Sequence, residues 1–384
     1  MHTDKPRALC LFNPEHDYAL ANNSEHFVPL QSAVQFARDC APFVRYLADN
    51  DNVLLFNPYD EHPLDLSTME DVELHPWGWD RLMRRQLRAA GLREALLPTD
   101  SQLDSLRGLA HRRITIPAME HLRQHCPELP LPATARLLTH IDEVEAFIAT
   151  QRDCILKSPY SGNGRGNLYA HGEFSPTLRR QCAGVLRRQG ALLAEPLYEV
   201  VQDFAMEFVT TPQEVRFAGY SLFRTQHYGY VGNELRSDAD IERILSQWVD
   251  LSTLECIQTA LKDFIQEAIQ PHYHGCVGVD MFVYDSDGYK LNPMVEINLR
   301  MTMGMAAHLL YERFVHPDST GLMRIEYRPK RGAMLQYVQQ QSSMIYKDGR
   351  WREGFLALTP VSEETQYCVG VGLRMENGEL RIEN

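Results

Sequence analysis

The stretch ILKSPYSGNGRG, residues 155–166, restricts the folds open to this chain more than any other part of the sequence. An apolar run that predicts a strand ends at Lys157, and three glycines then alternate with polar residues. Gly162, Gly164 and Gly166 let backbone N–H groups converge on an anion, and the lysine places an ammonium group beside them. The stretch therefore predicts a phosphate site, with a plain flexible turn as the alternative.

Two common nucleotide-binding folds are disfavoured by the same stretch. No Gly-Lys-Ser or Gly-Lys-Thr follows, so the loop is not a Walker A motif, and its glycine spacing is one residue too short for the dinucleotide fingerprint. The N-terminal stretch LFNPEHD also lacks the glycine turn that would hold a pyrophosphate. A dinucleotide-dependent dehydrogenase is therefore poorly supported.

Composition places the chain among ordinary globular proteins. Its 384 residues are 44% apolar, enough for two or three domains with their own cores. A formal charge of -13 argues against a nucleic-acid partner, which normally meets a basic surface. Neither a membrane-spanning apolar run nor a signal-peptide pattern is present, so we expect a soluble cytoplasmic protein without a membrane partner. The eight cysteines are scattered without a CxxC pair, which predicts neither a disulfide framework nor a zinc site.

Strands alternate with helices in the first hundred or so residues, which predicts a parallel sheet. Two of these strands end in an echo, LFNPEHD and LFNPYDEH, which indicates equivalent positions at the carboxyl edge where open α/β sheets bind ligands. A proline-marked stretch, CPELPLPATARLL, indicates a domain boundary. Beyond it we expect antiparallel strands, a hairpin turning at Asp287 and Gly288, and further strands in the tail from about Gly332.

Three oxygen-bearing side chains are predicted to meet on that hairpin. Asp280 lies on its first strand, and Glu296 and Asn298 share one face of its second strand because side chains alternate. Burying two carboxylates is costly unless a cation such as Mg²⁺ neutralises them. A solvated sheet edge is the alternative, and Pro293 argues for an edge or bulged strand.

The order of these motifs is more specific than any one of them. After the lysine and glycine loop, an apolar strand ends at Glu195, with Asp203 eight residues further on, and Asp280 and the VEIN segment follow. Over residues 129–304 this series resembles the ATP-grasp superfamily, whose carboxylate-amine ligases are the members it is most like. The resemblance implies an α/β plus α+β architecture: a Rossmann-like N-terminal domain at 1–115, a small ATP-grasp subdomain with the glycine loop at 116–195, and a large subdomain with the metal site and C-terminal strands at 196–384.

The resemblance also implies a role for each motif residue. Lys157 would contact the α- and β-phosphates, with the three loop glycines as a lid over the triphosphate. Glu195 and the backbone of Leu197 would bind adenine, and Asp203 the ribose hydroxyls. Mg²⁺, or Mn²⁺, would be held by Asp280, Glu296 and Asn298. Arg300 would act with Lys157 in catalysis by stabilising charge on the transferred phosphoryl group.

Two departures from the family pattern are visible. The usual upstream phosphate-binding lysine is missing, so Arg112 or Arg113 would have to replace it. Some peptide ligases place an arginine where this chain has Gly278. Candidates for binding the acceptor substrate come from the segment FRTQHY and from LFNPEHD, each with an ordinary structural role as the alternative: Arg224, His227, Tyr228, Glu15, His16 and Asp17.

The implied activity is ATP- and Mg²⁺-dependent ligation of a carboxylate to an amine through an acyl phosphate. The substrates would be small molecules, with amino acids and peptides among the candidates. Two alternatives stay open at this point: an ATP-grasp kinase that phosphorylates a small molecule, and a nucleotide-binding protein without catalysis. The sequence leaves the oligomeric state open, a homodimer included.

Overall fold

The structure is a computed structural model that describes residues 7–48, 52–162, 164, 166–226 and 229–375. Within these residues the strands form three sheets, which we call the N-terminal, small and large sheets. The first part of the chain contributes β1 (Arg7–Leu11), α1 (His16–Asn22), α2 (Gln31–Cys40), β2 (Val53–Phe56), β3 (Val72–Pro76), α3 (Arg81–Ala89), α4 (Asp100–Ala110) and α5 (Thr115–His125). In the N-terminal sheet β1 lies between β2 and β3 and is parallel to both, as the alternating pattern predicts.

The two echoed Asn-Pro segments lie side by side. Leu11 pairs with Phe56 where β1 and β2 end, so both segments leave the sheet at its carboxyl edge. The Tyr59 hydroxyl of one segment donates a hydrogen bond to the Glu15 carboxylate of the other. The sequence echo therefore corresponds to a contact in the folded chain.

The small sheet carries the lysine strand. Its region comprises β4 (Arg136–Leu138), α6 (Ile141–Gln151), β5 (Asp153–Lys157), β6 (Asn167–His171), α7 (Pro176–Gln189) and β7 (Leu192–Pro196), with the antiparallel strand order β4-β7-β5-β6. Helices α6 and α7 bury their apolar sides against this sheet. The Ser175 hydroxyl accepts from the Leu178 N–H at 3.2 Å to begin α7, and Gly190 ends it with φ of 81°. Lys157 is thus placed at the end of a well-packed strand.

The large sheet carries the acidic residues. Its region comprises β8 (Glu199–Thr210), β9 (Val215–Gln226), β10 (Gly229–Leu235), α8 (Asp238–Leu245), α9 (Leu251–Ala268), β11 (Gly275–Asp285), β12 (Tyr289–Asn298), α10 (Met303–Phe314), β13 (Ser319–Tyr327), α11 (Ala333–Gln339), β14 (Ile345–Lys347), β15 (Arg350–Ala357) and β16 (Tyr367–Met375). The strands are antiparallel in the order β12-β11-β8-β9-β10-β13-β16-β15-β14. Asp287 and Gly288 turn the β11–β12 hairpin with φ of 54° and 110°, and Pro293 lies in the edge strand β12, both as predicted.

Each face of the large sheet packs against different elements. The α9 face, which carries Phe204, Met206 and Val279, packs on α8 and α9 and also receives α4 and α5. The α10 face carries the alternate residues, Glu207 and Asp280 among them, and packs on α10 and part of the N-terminal sheet. Helix α5 therefore lies against the large sheet rather than the small one. The domain boundaries at 115 and 195 stay a prediction, and the packing of α5 on the large sheet does not favour the first of them.

Two expectations from the sequence are wrong. Cys126, just after α5, forms a disulfide with Cys256 of α9, their Cα atoms 6.3 Å apart, because helix packing brings together residues 130 apart in sequence. The tail contains the predicted strands, β14, β15 and β16, but the expectation that they begin at about Gly332 is wrong, because helix α11 follows the left-handed Gly332 (φ 75°) first. As for membranes, no helix in the described part of the chain is both long and apolar enough to span one.

Candidate functional site

The β11–β12 hairpin brings the three metal-ligand candidates together on the α10 face. Asp280 pairs directly with Glu296, and Gly278 pairs with Asn298. The Asn298 amide Nδ2 donates to Asp280 Oδ2 at 3.2 Å. Burial, followed by the charges of Glu296 and Glu207, raises the pKa of Asp280 well above its usual range. Carboxylates that are crowded together in this way favour the binding of a cation.

Glu207 is a third carboxylate beside this group, and the sequence analysis assigned it no role. It lies opposite Gly278 on β8, is 1% exposed, and accepts hydrogen bonds from Ser221 Oγ at 3.2 Å and Thr302 Oγ1 at 3.0 Å. Burial raises its pKa to about 7, although both hydroxyls lower it. Strand alternation from Asp203 would have placed Glu207 on the same face, so a sequence signal existed.

The buried pair of Lys157 and Glu195 joins the small sheet to the large one. Lys157 is 4% exposed and Glu195 is 5% exposed. Lys157 Nζ donates to Glu195 Oε2 at 2.7 Å and to the Val295 carbonyl of β12 at 3.5 Å. The buried Glu195 Oε1 accepts no hydrogen bond from any described residue. An unsatisfied buried acceptor of this kind is suited to a ligand N–H group.

The glycine loop is closed at its base. The Gly166 carbonyl accepts from the N–H of Ser158 at 3.2 Å and from its hydroxyl at 3.0 Å. Gly164 has φ of 69°, which favours glycine. A Cβ atom at Gly166 would collide with Ser161. These glycines are therefore required by the tight turn, whatever the loop binds.

Arg112 connects this loop to β12, the strand that carries Glu296 and Asn298, which we call the acidic strand. Its Nη1 and Nη2 donate to Ser161 Oγ at 2.9 Å and to the Ser161 carbonyl at 3.0 Å, and Nη2 lies 2.7 Å from Glu296 Oε1. Arg112 is buried and Arg113 is exposed. Of the two arginines considered as a replacement for the missing lysine, Arg112 is therefore the one at the site.

Arg300 is paired with the N-terminal motif. Its guanidinium donates to Asp17 of α1 through Nε and Nη2, both at 3.2 Å. Burial would raise the pKa of Asp17, but the charge of Arg300 outweighs burial and lowers it. A Cβ atom at Gly162 would collide with Asp17 Oδ2, so the glycine loop, the N-terminal domain and the end of β12 meet at this point.

The residues proposed for adenine and ribose lie along β7 and β8. The Leu197 N–H donates to the Asp153 carbonyl at 3.0 Å, so the proposed adenine contact would fall to the Leu197 carbonyl. Asp203 accepts from Thr225 Oγ1 at 2.7 Å, and burial raises its pKa. Asp203 lies on the α10 face, on the same strand as Glu207.

The acceptor candidates are dispersed. Asp17 and His16 both line a small cavity with Glu296, Asn298 and Arg300, and the buried His16 Nδ1 lies 3.2 Å from Asp80. Glu15 is buried at the edge of the N-terminal sheet, where it accepts a hydrogen bond from Tyr59. Arg224 pairs with Glu234 on the α9 face, away from the other residues. His227 and Tyr228 lie outside the described residues.

The candidate metal donors fit a hard cation. Asp280 and Glu296 supply carboxylate oxygens and Asn298 an amide oxygen, a set suited to Mg²⁺. In the described residues no three His, Cys, Asp or Glu side chains form a metal-binding group, so the set depends on the Asn298 amide. The raised pKa of Asp280 is the physical sign that a positive charge is favoured here.

No protein-family model matches the chain, and no curated protein matches it. Biotin carboxylase from Campylobacter jejuni, in an ATP complex, matches with a TM-score of 0.53 at 10% identity over 96% of this chain and 87% of that one. An N5-carboxyaminoimidazole ribonucleotide synthetase with ADP matches with a TM-score of 0.52 at 12% identity over 95% of this chain and 91% of that one. The chain has the ATP-grasp fold.

The ATP-grasp fold confirms the architecture expected from the sequence. The small sheet carries Lys157 and the large sheet carries Asp280. The assignment of the three sheets to the domains at 1–115, 116–195 and 196–384 stays a prediction. At such low identity the likeness establishes the fold and does not transfer residue roles. The roles of the individual side chains therefore remain proposals, argued below from their contacts.

Proposed function

We propose that this protein is an ATP- and Mg²⁺-dependent ligase that joins a small-molecule carboxylate to an amine. One observation carries the proposal: three cationic side chains from separate parts of the chain converge on one acidic strand. Lys157 reaches the Val295 carbonyl, Arg112 pairs with Glu296, and Arg300 follows Asn298. Cations around a carboxylate pair are suited to a triphosphate carried with a divalent metal ion.

The wider site offers room for a substrate. A cavity of about 720 Å³ lies between the N-terminal and large sheets. Cys276 in its wall lies on the same face as Gly278 and Asp280, and Met301 in its wall follows Arg300. Trp77, Met305 and His308 also line it. A carboxylate substrate with an apolar body would fit between these walls and extend its charged end toward Arg300.

The proposed mechanism follows from these positions. ATP is a substrate, bound with its phosphates at Lys157 and Arg112 and its base near Glu195. Mg²⁺, when held by Asp280, Glu296 and Asn298, would neutralise phosphate charge. The substrate carboxylate attacks the γ-phosphorus and ADP leaves, and the amine then displaces phosphate from the acyl phosphate to give the amide. Arg300 stabilises negative charge on the transferred group, and the glycine loop excludes water.

The first experiment is thermal unfolding with Mg-ATP, Mg-ADP, Mg-GTP and NAD, each with and without EDTA. A nucleotide that binds only the folded state raises the melting temperature, so an adenine-specific rise that EDTA removes is expected. Lys157→Ala and Glu296→Gln should lose this rise while melting cooperatively. If no adenine nucleotide raises the melting temperature, the assigned nucleotide site is wrong.

A second experiment separates a ligase from a kinase. Amino acids, peptides and larger carboxylic acids are screened for ADP release, and each hit is repeated with hydroxylamine as the amine. A ligase yields a hydroxamate and inorganic phosphate, because hydroxylamine intercepts the acyl phosphate. Accumulation of a stable phosphate ester without hydroxamate would instead identify the kinase.

A further inference from the structure

A second cavity, of about 560 Å³, lies in the C-terminal half of the large sheet, apart from the nucleotide residues proposed above. We call it the arginine cavity, because Arg224, Arg236, Arg324 and Arg374 all line it. Its walls come from β9, β10, β13, β15 and β16, from α11 and from the segment after α11. None of the residues assigned to ATP, to the metal or to phosphoryl transfer lines it.

The arginine cavity opens on the α9 face of the large sheet, opposite the proposed catalytic face. Thr225 bonds to Asp203 on the α10 face, so its strand neighbour Arg224 lies on the other side. Met323 is packed in the core beside α10, which places the next residue, Arg324, on the α9 face as well. A ligand in this cavity would therefore not share space with a ligand at Asp280.

Positive charge is in excess around the cavity. Glu234 accepts from both Arg224 at 2.7 Å and Arg236 at 2.5 Å. Burial would raise the pKa of Glu234, but these two arginines outweigh burial and lower it, so Glu234 is ionised at neutral pH. One carboxylate thus neutralises one of two guanidinium groups.

The same arrangement recurs on the neighbouring strand. Glu326 pairs with Arg324, and its other oxygen lies 3.1 Å from Arg328. Tyr337 Oη accepts from Arg324 at 2.9 Å and donates to Glu326 at 2.9 Å, which orients the pair. Arg224 and Arg236 thus share Glu234, and Arg324 shares Glu326 with Arg328, although Glu326 and Arg328 do not themselves line the cavity. Each of these two groups carries one excess positive charge, in a chain whose formal net charge is -13.

Glycines give the cavity its depth. A Cβ atom at Gly372 would meet no atom within 4 Å, so this part of the floor is open. Gly321 and Gly354 also line the cavity, and a Cβ atom at either would lie within 2.5 Å of a backbone carbonyl oxygen, of Gly372 and of Ser343 respectively. Leu322 and Phe355 supply apolar walls beside the guanidinium groups.

We propose that the arginine cavity binds a small dianion, a phosphate ester or a dicarboxylate, whose apolar body lies against Leu322 and Phe355. Guanidinium groups bind carboxylates and phosphates through paired N–H donors, and a dianion matches the two excess charges. The site is separate from the proposed ATP site and does not depend on that proposal.

The test is isothermal titration of the full-length protein at low salt with phenyl phosphate and, separately, isophthalate. Saturable binding of one equivalent of either probe is expected, and the probe that binds identifies the class of dianion. Arg324→Met should weaken binding at least tenfold, whereas Arg324→Lys should retain part of it. Arg331→Met is the matched control, since Arg331 is exposed, pairs with Glu363 and Glu364, and lies outside the cavity.

The Lys157→Ala variant distinguishes this site from the nucleotide site. The variant should bind both probes as tightly as the wild-type protein does, because Lys157 does not line the arginine cavity. Absence of saturable binding by both probes would overturn the proposal. So would equal weakening by Arg331→Met, which would indicate a general charge effect, or loss in Lys157→Ala, which would place the probes at the nucleotide site. If Arg324→Met fails to melt cooperatively, Arg236→Met replaces it in the same comparison.

Discussion

Asp17 and Arg300, 283 residues apart in sequence, form a two-pronged ion pair in which both N–H···O distances are 3.2 Å. The pair joins the first helix of the N-terminal domain to the residue that follows the acidic strand. Despite burial, which acts in the opposite direction on each group, the pairing lowers the pKa of Asp17 and raises that of Arg300. The N-terminal domain therefore contributes a side chain directly to the candidate site.

Asp17→Asn should impair both stability and activity. The change leaves the Arg300 guanidinium largely buried without its carboxylate, and we expect a loss of about 2 kcal/mol in the free energy of unfolding. ADP formation should fall at least tenfold, because Arg300 is no longer held in place. Urea unfolding and an ADP-release assay measure the two effects. Asp104→Asn, at an exposed pair with Arg81, is the control and should change neither quantity appreciably.

Gly162→Ala should damage the site more than the fold. The new Cβ atom would collide with Asp17 Oδ2, which displaces either the loop or the Asp17–Arg300 pair. We expect at least a tenfold loss of ADP formation with a cooperative thermal transition retained. Gly108→Ala in α4 has open space at the Cβ position and should stabilise the protein by about 1 kcal/mol. Wild-type activity in Gly162→Ala would contradict the assigned loop position.

Asp280→Asn should stabilise the metal-free protein while abolishing metal-dependent binding. Burial and the charges of Glu296 and Glu207 disfavour the ionised Asp280 side chain, so a neutral amide relieves the repulsion. In EDTA we expect a gain of about 1 kcal/mol in the free energy of unfolding. The rise in melting temperature with Mg-ATP should disappear. Asp263→Asn on the exposed side of α9 should leave both measurements unchanged. If Asp280→Asn lowered the free energy of unfolding, the carboxylates would not repel one another as proposed.

Glu15→Gln should flatten the pH dependence of stability. Burial raises the pKa of Glu15 from 4.5 to about 7, so the folded state favours the protonated side chain. The stabilisation that the folded state gains by keeping Glu15 protonated is fully present below the pKa of this group in the unfolded state. It is lost as the pH rises through the pKa of Glu15 in the folded state. Relative to wild type, the variant should gain up to about 3 kcal/mol between about pH 4 and about pH 8. Urea unfolding across this range measures the gain, and Glu61→Gln at an exposed position should parallel wild type.

Reduction of the Cys126–Cys256 disulfide should lower stability. The bond closes a long segment of chain, and its loss allows the unfolded state more conformations, which we expect to cost about 3 kcal/mol. Unfolding with and without a reductant measures the difference. Cys256→Ser should unfold like the reduced wild type, and the reductant should have no further effect on it.

The parts of the site that sequence could predict are those built by neighbouring segments. A hairpin turn at Asp287 and Gly288 is enough to place Asp280 and Glu296 on facing strands and on one face of the sheet. Strict pairing from the turn would set Asp280 opposite Met294, and a register shift between Asp280 and Phe282 moves the pairing to Glu296. The strand and loop around Lys157 follow from local composition in the same way. By contrast, the contacts of Arg112 with Glu296 and of Asp17 with Arg300 depend on how the sheets pack, which no local pattern encodes.

The errors have the same origin. Cys126 and Cys256 are ordinary apolar-run cysteines until α5 packs on α9. Helix α11 is short, so its apolar residues could equally be assigned to a strand. Glu207 could have been found, because it differs from Asp203 by an even number of residues on one strand. The cytoplasmic location and the homodimer stay predictions.

The disulfide also determines where this molecule can bend. Because Cys126 is bonded to Cys256 of α9, the end of α5 is held against the large sheet. The chain enters the small sheet at Arg136 and leaves it at Pro196, just before β8. Any rotation of the small sheet relative to the large sheet must therefore occur through two short segments, 127–135 and 197–198. The first segment is rich in proline, which restricts its backbone conformations. The glycine loop would move together with the small sheet, and the disulfide would fix the point from which that movement begins.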